Sequence, residues 1–99
     1  MNLTYDKVLN QLEFVRPPVA SIPAKEYLRS GKYPIIDQGK SLIAGYTNNS
    51  MQVFEHTEPV IVFGDHTRVW KYIDFPFAIG ADGTRILRRK ANSILLIKY

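Results

Sequence analysis

Apolar residues fall in short clusters along this chain rather than in long periodic stretches. Tyr5, Val8, Leu9 and Leu12 share one face at helical spacing, with Asn2 or Thr4 placed to cap it, which predicts a short first helix. Arg16-Pro17-Pro18 ends that helix, because neither proline donates a backbone hydrogen bond and each biases its predecessor toward extended geometry. Ser21, Pro23, the run from Ala24 to Leu28 and then Gly31 read as cap, first turn, body and C-terminal glycine of a second, very short helix. From Tyr33 the pattern becomes that of strands. Residues 33–37, 43–47, 59–63, 75–79, 85–87 and 94–97 are short apolar or β-branched runs separated by Gly, Asn, Asp and Lys. Val60-Ile61-Val62-Phe63 shows no alternation and predicts an interior strand buried on both faces. Ala81-Asp82-Gly83-Thr84 predicts a hairpin, because Asp-Gly suits the positive φ angles of a type I′ turn, and its flanking strands become antiparallel neighbours. The expected fold is therefore α+β: short N-terminal helices on a compact, largely antiparallel sheet.

Composition sets the scale of that fold. With 99 residues, 45% of them hydrophobic and 22% charged, the chain holds one core of globular type, so residues 1–99 are expected to form a single domain. No cysteine occurs, which excludes disulfides, zinc ribbons, iron–sulfur ligation and thiol catalysis. The longest purely apolar runs, 60–63 and 94–97, fall far short of the roughly 20 residues of a membrane-spanning helix. Asp6, Lys7 and Glu13 interrupt the N-terminus where a secretory signal would be continuously apolar. A cytoplasmic protein without membrane contact is the expectation.

Charge is distributed unevenly. Residues 1–64 carry six basic and six acidic side chains, whereas residues 65–99 carry seven basic against three acidic, so the whole excess of +4 lies in the last third. A positive field of that kind suits a polyanion, and a solvated basic face is the plainer reading.

Enzyme signatures fail on inspection. Gly39-Lys40-Ser41 resembles the end of a phosphate-binding loop, but Pro34 stands where that motif needs its first glycine. Neither Gly-x-Gly-x-x-Gly nor Gly-x-Ser-x-Gly is present. Asp65 and His66, with His56, Asp37 and Asp82, are the candidates for a metal-dependent nuclease, yet neighbours on a strand point to opposite faces and no Glu-x-Lys or Asp-x-Lys pair occurs. Residues 63–68 carry a second interpretation: an apolar strand ends at Gly64 and delivers Asp65, His66, Thr67 and Arg68 to the edge of the sheet. Arginine pairs with guanine in bidentate fashion, and histidine and threonine reach base edges or phosphates. A local Asp65–Arg68 salt bridge is the rival reading. The aromatic residues serve core packing better than base stacking; Trp70, between Arg68 and Lys71, is the exception, in a stretch read as loop.

Taken in order, Gly31-Lys32-Tyr33-Pro34-Ile35-Ile36-Asp37-Gln38, Ile43-Ala44-Gly45-Tyr46-Thr47, the segment from Pro59 through Phe63-Gly64-Asp65-His66-Thr67-Arg68, and the segment from Phe75 through Gly80-Ala81-Asp82-Gly83-Thr84 resemble the target recognition domain of the DNA specificity subunit of Type I restriction-modification enzymes. The resemblance runs from about Ile22 to Leu87. It implies a bent sheet and a module that is not catalytic and holds no cofactor of its own. It also implies double-stranded DNA as ligand, and as partners a Type I methyltransferase subunit and, in the full complex, a restriction subunit. A complete recognition domain continues beyond this length and is joined by spacer helices, so the chain is expected to be a partial, truncated domain without spacers.

Sequence-specific recognition of double-stranded DNA is the function expected. The residues expected on the DNA face, chosen for polarity at strand ends, are Gln38, Lys40, Asn48, Asn49, His66, Thr67, Arg68, Lys71, Arg85 and Arg88. The alternative is a truncated interaction module that forms a homodimer, through a strand over 94–97, or docks a methyltransferase subunit without useful DNA binding.

Overall fold

Short β-branched runs broken by Gly, Pro and Asn favour pairing over helix propagation, and a computed structural model, describing residues 10–90, bears this out with eight strands in two sheets. They are β1 (Leu12–Val15), β2 (Tyr33–Ile36), β3 (Gly45–Thr47), β4 (Val53–Phe54), β5 (Val60–Gly64), β6 (Trp70–Ile73), β7 (Phe77–Ile79) and β8 (Thr84–Arg89). The first sheet, in the order β1-β8-β5-β6, is antiparallel throughout. The second runs β3-β2-β7-β4, with β2 and β7 parallel and the outer pairs antiparallel.

Strand parity builds the core. Ile36, Phe54, Phe77 and Ile79 of the second sheet pack against Val60, Val62, Ile73 and Ile86 of the first. Ile35 and Ala78 point the other way and are covered by Ile22 and Tyr27. The middle of the second sheet is thus buried on both faces, as parallel pairing requires. Phe77 is 0% exposed and makes edge contacts with the rings of Phe54 and His56. The His56 ring nitrogens lie 2.6 Å from the Glu58 carbonyl and 2.9 Å from the Phe75 carbonyl, tying two loops together.

The α+β expectation is overturned. Among the described residues the helical elements, apart from the single helical position Asn10, are two single 3-10 turns, Ala24–Glu26 and Ser50–Gln52, and the architecture is essentially all β. The second expected helix is reduced to the first of these turns because its ends are needed elsewhere. The Ile22 amide donates to the Ile79 carbonyl at 2.8 Å, and Leu28 and Tyr46 exchange amide-to-carbonyl bonds of 2.9 Å. Tyr27, at the end of the turn, is already extended. Tertiary pairing overrides a weak local helix preference here. Most of the first expected helix lies outside the described residues, and its last position, Leu12, opens β1 opposite Arg89. The strand expected over 94–97 lies outside the described residues as well.

Two further expectations change. Asp82-Gly83 does not close a hairpin: β7 belongs to one sheet and β8 to the other, and only Gly83 has positive φ, at 74°. The stretch around Trp70, expected to be loop, opens β6. The strand around Val60 is interior as expected, between β8 and β6, but Val60 and Val62 face the core while Ile61 and Phe63 remain half-buried on the outer face. Among the described residues no helix is long and apolar enough to cross a membrane.

Because Phe77 is fully buried in the cluster to which both sheets contribute, Phe77→Ala is expected to lower unfolding stability by about 3–5 kcal/mol. The measurement is the urea midpoint at unchanged m-value, and a loss below about 1 kcal/mol would contradict the central place given to this ring.

Candidate functional site

Three connections meet at one end of the molecule: the loop after β2, the hairpin between β5 and β6, and the crossover between β7 and β8. Gln38 joins them. Its Nε2 donates to the Asp82 carbonyl at 2.7 Å, and its Oε1 accepts from the amides of His66 at 2.9 Å and Thr67 at 3.4 Å. Thr67 Oγ1 donates back to the Gln38 carbonyl at 2.7 Å, and the Asp65 amide donates to the Gly83 carbonyl at 2.9 Å. Gly64 leaves room for this approach, since a Cβ there would sit 2.6 Å from Gln38 Cβ. The hairpin closes through Arg68, whose amide donates to the Gly64 carbonyl at 2.9 Å and whose φ of 60° lies in the left-handed region.

A second layer lies beneath the loop over residues 37–41. Asp37 Oδ1 accepts from the Gly39 amide at 2.8 Å, and Oδ2 accepts from the Tyr27 hydroxyl at 2.9 Å. Gly45 and Gly80 give Tyr27 its space: a Cβ at Gly45 would lie 2.8 Å from Tyr27 Cβ, and one at Gly80 would collide with the hydroxyl. Burial, and then the hydrogen bond to and charge of Asp37, push the Tyr27 phenol well above its usual range. Lys71 rises from β6 on the core face, 6% exposed, and its Nζ donates to the carbonyls of Asp37 at 2.7 Å and Ser41 at 2.6 Å. Burial lowers its pKa, against an opposing pull from Asp37.

The ten residues expected on the DNA face separate accordingly. Gln38, Lys40, His66, Thr67, Arg68 and Arg85 belong to the converging loops or the start of β8, and of these Lys40, His66, Thr67, Arg68 and Arg85 are exposed. Arg85 Nε is bonded to Asp65 at 2.8 Å, so the partner of Asp65 is Arg85 and not Arg68. Lys71 lies inside the protein, where its ammonium donates to two backbone carbonyls. Asn48 and Asn49 lie at the opposite end of β2, where their side chains accept from the amides of Lys32 and Met51. Arg88 stands opposite Glu13 across β1 and β8 and is paired with it at 3.1 Å.

Among the described residues no three His, Asp or Glu side chains are grouped so as to hold a metal ion. Asp37, Asp65 and His56 are each engaged with other partners. Nothing local in the sequence marks the supporting roles of Tyr27 and Asp37, which lie ten positions apart and meet only in the fold. The depth of Lys71 had a usable signal, since reading residues 70–73 as a strand puts Lys71 on the same side as Ile73.

No family model matches the chain, and no solved structure matches it. Over 88 residues, 88% of its length, the chain is 28% identical to the Type I restriction enzyme EcoR124I/EcoR124II specificity subunit of Escherichia coli, of which it spans 22%.

Tyr27 supplies a pH test of the supporting layer. Above about pH 10 the unfolded chain loses the Tyr27 proton while the folded phenol keeps it, so the folded state binds more protons and stability falls as pH rises. Tyr27→Phe removes this contribution. Urea unfolding at successive alkaline pH values is expected to show a steeper loss for the wild type than for the variant, and parallel curves would contradict the Tyr27–Asp37 link.

Proposed function

We propose that this chain is a DNA-reading part of a Type I restriction enzyme specificity subunit, non-catalytic itself, which recognises a short sequence in double-stranded DNA. The methyltransferase subunit of such an enzyme is its proposed protein partner. Two lines support the reading: similarity to a specificity subunit over most of the chain, and three polar loops held together at one end with Lys40, His66, Thr67 and Arg68 exposed. In this reading the hairpin over 65–68 enters the major groove, Lys40 and Arg85 flank it, and Gln38 positions it. Asn48, Asn49, Lys71 and Arg88 are left out of the contact set.

The observation that carries the proposal is Arg68. A non-glycine residue at φ 60° is strained by roughly 1 kcal/mol relative to glycine, and among the described residues no hydrogen bond or ion pair engages the guanidinium it exposes. In this reading an arginine at a glycine-favouring position is explained by what its side chain does outside the fold.

Arg68→Gly therefore separates folding from reading. The variant is expected to unfold at equal or higher urea concentration than the wild type, by up to about 1 kcal/mol, while losing discrimination among duplexes. Selection from a pool of duplexes with a randomised core measures the latter. A base-reading arginine predicts a loss of about 1–3 kcal/mol confined to the preferred sequence, whereas a phosphate contact predicts a uniform loss with the salt slope smaller by about one unit. A variant that selects the same sequences with the same affinity would overturn the assignment of the hairpin as the reading element.

A further inference from the structure

A lysine in a protein interior is costly unless its ammonium is hydrogen-bonded, and a methionine or leucine would fill the same space without that penalty. Lys71 bonds two carbonyls of the connection between β2 and β3, Asp37 at its start at 2.7 Å and Ser41 midway at 2.6 Å, and so holds residues 37–41 from inside. The same loop is held from its other side by Tyr27 on Asp37 and by the bonds between Gln38 and the hairpin. Lys40, exposed, projects from a segment whose two ends are fixed in this way. Loop and hairpin are joined directly, since Thr67 Oγ1 donates to the Gln38 carbonyl at 2.7 Å.

We propose that Lys71 is a positioning residue for a second reading loop: its ammonium shapes residues 37–41 so that this loop, beside the hairpin, discriminates base pairs other than those read through Arg68. The inference rests on the DNA-reading function proposed above and deepens it. A flexible lysine at position 40 would contribute attraction to phosphates regardless of sequence; a lysine on a loop fixed at both ends meets the groove in one place and contributes discrimination. Lys71 itself touches no DNA in this arrangement.

The experiment compares the wild-type chain with Lys71→Met, which keeps the aliphatic stem, and Lys71→Arg, which keeps the charge but presents planar donors where a compact ammonium sits. Each is selected against the randomised duplex pool, its affinity is titrated against salt, and amide hydrogen exchange is followed at Gly39, Lys40 and Ser41. Lys71→Met is expected to accelerate exchange at those amides and to lower discrimination roughly tenfold at one or two base pairs that Arg68→Gly leaves intact. Its salt slope should match the wild type, because no phosphate contact is lost. Lys71→Arg should show the same positional loss in smaller measure, and it carries the test if the methionine variant does not fold. A salt slope smaller by about one unit would make Lys71 a phosphate contact and overturn the proposal. Unchanged base preference in the folded variants, with the loop amides exchanging faster, would overturn it while leaving the DNA-reading function standing. A wild-type chain that enriches no sequence would overturn both.

Discussion

The side-chain amide of Gln38 is the joint on which the working end of this molecule depends. Elsewhere the two sheets meet through apolar side chains, which hold surfaces together but fix no loop in direction. At this end one amide uses its nitrogen on the Asp82 carbonyl and its oxygen on the amides of His66 and Thr67, spanning a loop of one sheet, a hairpin of the other and the crossover between them. Each bond adds only about 1 kcal/mol to stability. Their larger effect is geometric: three chain segments that would otherwise answer separately to solvent are held in one relative placement, and the glycines at 64 and 83 are small because Gln38 comes so close.

Much of this was legible in the sequence, though unevenly. The strands around Ile35, Tyr46, Val62, Ala78 and Ile86 announce themselves through β-branched and aromatic runs, because that preference is local. Which sheet each strand joins is not local: Asp82-Gly83 has the chemistry of a hairpin, yet β7 is already paired on both edges, by β2 and β4, and β8 must cross to the other sheet. The residues from Pro23 to Gly31 illustrate the same competition, a helical pattern defeated by pairing of Ile22 and Leu28 with distant strands. At the site, residues 65–68 could be singled out because a buried strand ending at glycine is visible in the sequence. Polarity at a strand end places Gln38 on the expected DNA face, but its role as a joint is not legible there, since its partners lie 28 to 44 positions away.

Charge counted along the chain misleads in an instructive way. The positive excess after Gly64 includes Arg85, Arg88 and Arg89, but each of these is paired with a carboxylate, Asp65, Glu13 and Glu58 respectively. Two of those partners come from the first 64 residues, so folding partly cancels the asymmetry. Exposed pairs contribute little to stability, and their arginines are less available to phosphates than a charge count suggests. Lys71 is withdrawn altogether. What remains at the converging loops is Lys40 and Arg68, a small number of cations on segments of fixed geometry. That balance suits a surface that discriminates by direction better than one that holds DNA by bulk electrostatics.

The β5–β6 hairpin concentrates two departures from what folding alone would select. At its turn, Arg68 occupies a conformation that glycine adopts without strain; at the strand that follows, Lys71 occupies a core position that an apolar side chain would fill more cheaply. Neither departure is repaired by its surroundings in the same way. The strain at Arg68 has no compensating contact that uses its guanidinium among the described residues, whereas the burial of Lys71 is offset by two short bonds to one loop. Local rules are broken where a sequence answers to something besides stability. Here the uncompensated departure points outward, to solvent, where the proposed duplex would lie, and the compensated one points inward, toward the loop beside it, so that a single hairpin both presents a side chain and holds its neighbour in place.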